Sequence, residues 1–294
     1  MMSILTEIPH SSRHARPAGQ ELLLAGRTVA AGYRGRSVIR DIDVDVRAGE
    51  VHGLIGPNGA GKSTLLRVLG GIAPATAGRV ETVRGHLGTL LPRERARLIA
   101  FLPQDTRIDE ALSVRAIVEL GRYAHRRQFD RMRGALTPED VAAVDGSLRR
   151  VGVHDLADRP ITELSGGQRQ LVLIAKQLSQ ESLVLLLDEP VSALDLGYQM
   201  QVLTLLRELA DEGRSVVVVL HDLNLAARSC DRLTLLADGE VRGEGAPEHV
   251  LTPALLAECY GVHCVVDRDP HLHTPRVTVL ERTSTPRRHT DNTE

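Results

Sequence analysis

The sequence predicts an α/β fold built on a mainly parallel sheet, and three observations predict it. Short runs of Val, Leu and Ile that do not alternate with polar residues recur along the chain, which is how strands buried on both faces read. Longer segments of helical spacing separate them. One early run, Val51 to Ile55, leads through a glycine-rich stretch into an apolar segment of helical spacing, the strand–turn–helix order of a phosphate-binding loop.

In chain order, residues 1–20 mix Ser, Pro, His and Arg without periodicity and read as a flexible tail, because they bury too little to offset their ordering entropy. One folded domain is expected over 21–281. Strands are expected at Val51 to Ile55, Ile99 to Leu102, Leu183 to Leu187, Ser215 to Leu220 and Arg232 to Leu236. Helices should begin at Gly61, Gly166, Leu196, Leu223 and Pro253, each just after a turn-forming or capping residue. From Ser113 to Asp158 the composition shifts to Arg, Asp, Glu and Ala with no convincing strand. A helical insertion is therefore placed at about 106–160. A flexible-looking extension over about 246–281 precedes a polar tail at 282–294.

Composition excludes several classes. With 36 Lys+Arg against 38 Asp+Glu and a net charge of -2, the balance gives no support for a free-standing nucleic-acid binder held by a basic surface. Aromatics are 2% with no Trp, so base-stacking platforms are excluded as well. The longest apolar runs, such as Val216 to Leu220, are five residues, far short of the roughly 18 that span a bilayer. The first residues lack an apolar signal core, which makes the cytoplasm the expected compartment. Cys230, Cys259 and Cys264, without CxxC spacing, suggest neither a disulfide framework nor a zinc knuckle. Only Lys62 and Lys176 among the basic residues are lysines.

Lys62 has an evident purpose. Gly56-Pro57-Asn58-Gly59-Ala60-Gly61-Lys62-Ser63-Thr64 matches GxxxxGK[ST]. Its glycines let backbone N–H groups face phosphates, and the helix start adds partial positive charge. Lys62 can reach the β- and γ-oxygens while Ser63 can ligate Mg²⁺. A second buried run ends in Asp188-Glu189, at the carboxyl edge where open α/β sheets bind ligands. Neighbouring carboxylates suit separate tasks, Asp188 supporting Mg²⁺ and Glu189 accepting a proton from water. A third run ends in His221-Asp222, which makes His221 a candidate γ-phosphate contact. Ser165-Gly166-Gly167-Gln168 precedes a further apolar helix, so Ser165 reads as its N-cap and the glycines as a second anion-binding helix start. One small domain does not readily close two such surfaces on one nucleotide.

These motifs and their order resemble the nucleotide-binding subunits of ATP-binding cassette (ABC) transporters, over about residues 22–270. The resemblance implies a P-loop NTPase core with an antiparallel β portion near the N-terminus and a helical subdomain. It implies ATP and Mg²⁺ as cofactors, Tyr33 stacking on adenine, and Gly56 to Thr64 as the Walker A loop. Gln104 would be the Q-loop glutamine touching Mg²⁺ or the attacking water, and Leu164 to Gln168 the signature. Asp188 and Glu189 would be the Walker B pair, Ser192 to Asp195 the D-loop, and His221 the switch histidine. Two chains would pair head to tail, the signature of one closing over ATP held by the other.

Leu91 to Ala100, Gly121 to His125, Leu196 to Gln199 and Tyr260 to Val262 resemble the subgroup that powers iron-siderophore, haem and cobalamin importers. This implies a separate transmembrane permease, an extracytoplasmic binding protein and a peripheral place on the cytoplasmic face of the membrane. Ala124 stands where the family commonly has proline, Val191 where it has threonine and Lys176 where it has arginine. Transport direction is written in the permease, so another importer or an exporter subgroup is the alternative. A soluble ABC ATPase of DNA repair or translation is the distant one, disfavoured because each motif occurs once and no long coiled coil fits between Gln104 and Ser165. Cys259, His263, Cys264, His271 and His273 cluster without the spacing of a standard metal site. Arg122, Arg126, Arg127, Arg131 and Arg133, with Asp130 as the one acid among them, read as a solvated helix face. Arg122 to His125 are expected on the surface that meets the permease.

Overall fold

The computed structural model describes residues 21–33, 35–105, 108, 110–126, 136–192 and 194–282. Both expected tails lie outside these residues apart from Arg282, as do Arg127, Asp130, Arg131, Arg133 and Ala193.

The chain opens on a long antiparallel pair, β1 (Leu22–Tyr33) and β2 (Arg36–Arg47), before β3 (Val51–Ile55). Helix α1 (Lys62–Leu69) is followed by β4 (Ala77–Thr82), β5 (Gly85–His86), α2 (Pro92–Leu98) and β6 (Ile99–Leu102). Then come α3 (Val114–Glu119), α4 (Pro138–Arg150), α5 (Gly166–Ser179), β7 (Val184–Leu187) and α6 (Leu196–Asp211). The chain continues through β8 (Ser215–Val219), α7 (Leu223–Ser229), β9 (Arg232–Ala237) and β10 (Glu240–Gly245). Helices α8 (Pro247–Val250) and α9 (Pro253–Tyr260) and the hairpin β11 (Val262–Arg268) with β12 (Pro275–Arg282) complete it.

A six-stranded sheet runs β10-β9-β3-β8-β7-β6, parallel except for β10. Its central strands separate two apolar cores. Val216 and Val218 of β8 face one core and Val217 and Val219 the other, and Leu185 and Leu187 of β7 oppose Val184 and Leu186 in the same way. A strand with a core on each face has no polar side, so its sequence cannot alternate. The second core also takes Leu24, Val29, Ile39 and Ile42 from the four-stranded antiparallel sheet β2-β1-β4-β5. The phosphate loop thus leaves the central strand of one sheet and is covered by the other.

Buried His52 on β3 belongs to a polar network beneath the sheet. Arg232 Nη2 lies 3.2 Å from its Nδ1, and Thr234 Oγ1 lies 2.8 Å from its Nε2. A guanidinium only donates, so Nδ1 is the acceptor and Nε2 carries the proton. Burial, reinforced by the Arg232 charge, holds the imidazole well below its ordinary pKa of 6.5. The unfolded chain takes up this proton as pH falls below about 6.5 and the folded chain does not, so stability should fall by up to about 1.4 kcal/mol per pH unit there. Urea midpoints at pH 7.5 and 5.5 should differ less for His52→Gln than for the parent.

Arg122 corrects an expectation. It is 4% exposed rather than presented to solvent or a partner. Its Nε donates to Asp140 Oδ1 at 2.8 Å, and its Nη1 donates to Ser179 O at 2.7 Å and Glu181 Oε2 at 2.6 Å. The acids that draw it inward come from α4 and from the turn after α5, distant in sequence. Tyr123, 59% exposed, stays on the surface. Removing one partner of a buried ion pair strands the other, so Arg122→Ala should destabilise the fold by about 3–5 kcal/mol, read as a lowered denaturation midpoint.

The C-terminal extension is also corrected. It is not a loose appendage: α9 and the β11–β12 hairpin set Leu256, Cys259 and Val277 into the first core. Among the described residues no group of three or more His, Cys, Asp or Glu side chains is placed to hold a metal ion.

Candidate nucleotide-binding site

Residues 56–61 form a turn whose glycines are sterically required at two points. Gly61 has φ 101°, and a Cβ there would lie 2.4 Å from Ile39 Cγ2; Gly56 has φ 145°, and its Cβ would lie 2.0 Å from Leu236 O. Glycine alone tolerates both the left-handed backbone and the close approach. The loop is thereby seated between β2 and β9, and α1 starts at Lys62.

A cleft of about 530 Å³ opens over this loop, lined by Val38, Asn58 to Thr64, Gln104, Glu189 and His221. Lys62 is buried, and its Nζ donates to Gly56 O at 2.7 Å and Pro57 O at 3.0 Å. Burial lowers its pKa, while the Glu189 and Asp188 carboxylates oppose the drop. Ser63 Oγ donates to Asp188 Oδ1 at 2.9 Å. Asp188 is 1% exposed, and burial raises its pKa against the Ser63 hydrogen bond. Its Oδ2 is buried without a hydrogen-bond partner among the described residues. A carboxylate oxygen left over beside a hydroxyl fits a hard, oxygen-seeking cation such as Mg²⁺.

Beyond β7 the backbone turns sharply. Glu189 sits at φ 54°, a left-handed conformation uncommon outside glycine. Its Oε1 lies 2.5 Å from His221 Nε2. The two groups at the ends of neighbouring parallel strands β7 and β8 thus meet at the cleft; their places at strand ends are as the sequence predicts, their pairing is not.

Three predicted groups lie elsewhere. Tyr33 ends β1, is 48% exposed and does not line the cleft. Asp195 caps α6, its Oδ1 accepting from Tyr198 N–H at 3.0 Å. Ser165 caps α5 as expected: its Oγ accepts from Gln168 N–H at 3.3 Å, and Gln168 Oε1 accepts from Ser165 N–H at 3.1 Å, a reciprocal capping box. Ser165 and Gly166 are exposed, and none of the five signature residues lines the cleft. Gly167 lies against the Tyr198 ring, where a Cβ would stand 2.7 Å from Cδ2. Gln170 Nε2 donates to Pro190 O at 2.9 Å. The signature is therefore fastened to the segment that follows Asp188 and Glu189.

Sequence reasoning missed Val38, because β2 meets β1 through repeated register shifts that blur its alternation. Tyr260, named there only as a mark of the subgroup, has a buried hydroxyl with no hydrogen-bond partner among the described residues. Burial pushes that phenol's pKa up.

A model of the ABC transporter family matches residues 39–192. The cobalamin import ATP-binding protein BtuD of Halobacterium salinarum is 43% identical over 252 residues, 85% of this chain and 62% of that protein. The chain thus spans about three-fifths of the length of that relative. The ferric enterobactin transport ATP-binding protein FepC of Escherichia coli is 38% identical over 262 residues, 89% of this chain and 95% of that one. Among solved structures, an inward-facing metal-chelate type ABC transporter superposes with a TM-score of 0.76 at 28% identity, covering 90% of this chain and 99% of that chain. Sequence match, architecture and the grouping of Lys62, Ser63, Asp188, Glu189 and His221 agree: the chain belongs to the ABC transporter family and folds as its ATP-binding cassette.

Proposed function

We propose that this chain is the ATP-hydrolysing subunit of an importer for an iron-siderophore or a related chelate, haem or cobalamin. It works as a head-to-tail dimer on the cytoplasmic face of a separate permease, with an extracytoplasmic binding protein delivering the ligand. One observation carries the reading. The cleft gathers Lys62, Ser63, Gln104, Glu189 and His221, whereas the second anion-binding helix start, at Ser165, lies outside it. A second copy supplies the missing surface. The ligand class is supported by relatives named for cobalamin, ferric enterobactin and hemin transport.

In this reading Lys62 exchanges its two carbonyl partners for the β- and γ-phosphates, gaining charge-assisted hydrogen bonds. Ser63 and Asp188, with Gln104, would hold Mg²⁺, which when bound neutralises phosphate charge. Glu189 takes the proton of the attacking water, and His221 holds Glu189 and contacts the γ-phosphate. Tyr33 meets the adenine, and Ser165 to Gln168 with Asp195 act on the nucleotide of the opposite chain. Nucleic acid has no part.

Uptake by a strain deleted for this chain tests the ligand class. Accumulation of labelled ferric siderophore, haem or cobalamin should fall to background for one of the three and return with the parent gene but not with Lys62→Ala. Unchanged uptake of all three would remove the class.

A further inference from the structure

One side chain fastens the C-terminal hairpin to the helix that follows His221. Asn224, the second residue of α7, gives both ends of its amide to one residue of β12. Its Nδ2 donates to Val277 O at 3.1 Å, and its Oδ1 accepts from Val277 N–H at 2.8 Å. A side-chain amide thereby does what a neighbouring strand would do along the edge of β12. The other end of the link is equally fixed. Asp222 Oδ1 accepts from Asn224 N–H at 2.8 Å and Leu225 N–H at 3.0 Å, and Asp222 directly follows His221. Val277 is itself anchored, 7% exposed within the first core. A short chain of bonded groups thus runs from the hairpin through Asn224 and Asp222 to the residue whose Nε2 meets Glu189.

We infer that the C-terminal hairpin holds His221 in register with Glu189, and that Asn224 is the positioning residue through which it does so. His221 needs such support because its side chain is 40% exposed on the rim of the cleft, where local packing alone fixes a rotamer poorly. This rests on the proposed reading in which Glu189 and His221 serve hydrolysis.

The test is a double-mutant cycle on the full chain assembled with its permease, measuring kcat at saturating MgATP, ATP binding and thermal midpoint. Asn224→Ala should lower kcat by about tenfold, since small misplacements of a catalytic group are costly, while the Kd for ATP stays that of the parent. In a His221→Ala background Asn224→Ala should have no further effect on kcat, because the group it positions is gone. Asn224→Asp keeps the size and one acceptor but sets a carboxylate oxygen against Val277 O; it should match Asn224→Ala in kcat and serves where the alanine variant folds poorly. A kcat within twofold of the parent, an effect of equal size in both backgrounds, or a change in thermal midpoint alone overturns the positioning role and leaves the proposed function standing. If His221→Ala itself turns over like the parent, the reading of the site falls, and the inference with it.

Discussion

Glu189→Gln is expected to lower ATP turnover by about 10² to 10⁴ while leaving ATP binding intact. Gln keeps the shape of Glu and an oxygen able to accept from His221 Nε2, which lies 2.5 Å from the carboxylate, but it cannot take a proton from water. Lys62 and Ser63, the groups assigned to the phosphates and Mg²⁺, are untouched by the change. The variant should therefore accumulate as an ATP-bound dimer. Phosphate release at saturating MgATP with the permease present, together with equilibrium nucleotide binding, checks both halves. Turnover within a few-fold of the parent would remove Glu189 as the base. Lys62→Ala should behave differently and weaken nucleotide binding itself, because it deletes the charge at the β- and γ-phosphates.

The contrast between the two variants follows from where each group sits, and the same distinction governs what the sequence disclosed. The phosphate loop was legible because its chemistry is local: strand, turn glycines, Lys62 and Ser63 lie within one stretch, and the structure keeps them so. Asp188, Glu189 and His221 were legible as strand-end groups, since parallel strands deliver their carboxyl ends to one edge. What sequence could not give was their pairing. Ser63 with Asp188 and Glu189 with His221 are long-range contacts, and the left-handed backbone at Glu189 has no signature in residue type.

Other elements were lost for definite reasons. β1 and β2 carry several register shifts, and each shift breaks the period-two pattern by which a strand is recognised. Arg122 looked solvent-facing because its neighbours in sequence are basic, whereas its partners Asp140 and Glu181 come from α4 and the turn after α5. Of that stretch Tyr123 is exposed while Arg122 is buried, so replacing both together would confuse unfolding with loss of a surface contact. The C-terminal extension looked loose because its strands bury little: β11 alternates half-buried with exposed residues and β12 buries Val277 alone. Its order comes from docking Val277 and Leu256 on the core and Asn224 on β12.

The shared site is the central claim, and a mixed dimer tests it most directly. One chain would carry Lys62→Ala and the other Ser165→Arg, both with Glu189→Gln so that bound ATP is not consumed, with a different affinity tag on each chain and the permease present. Ser165 is exposed and outside its own cleft, so arginine there should obstruct whichever nucleotide the helix start faces. If that nucleotide belongs to the opposite chain, one composite site contains both lesions and the other contains neither. If each signature served its own chain, both sites would be damaged. Retained nucleotide per mixed dimer is the quantity to measure: one tightly held ATP is the predicted result, and none would contradict the shared site.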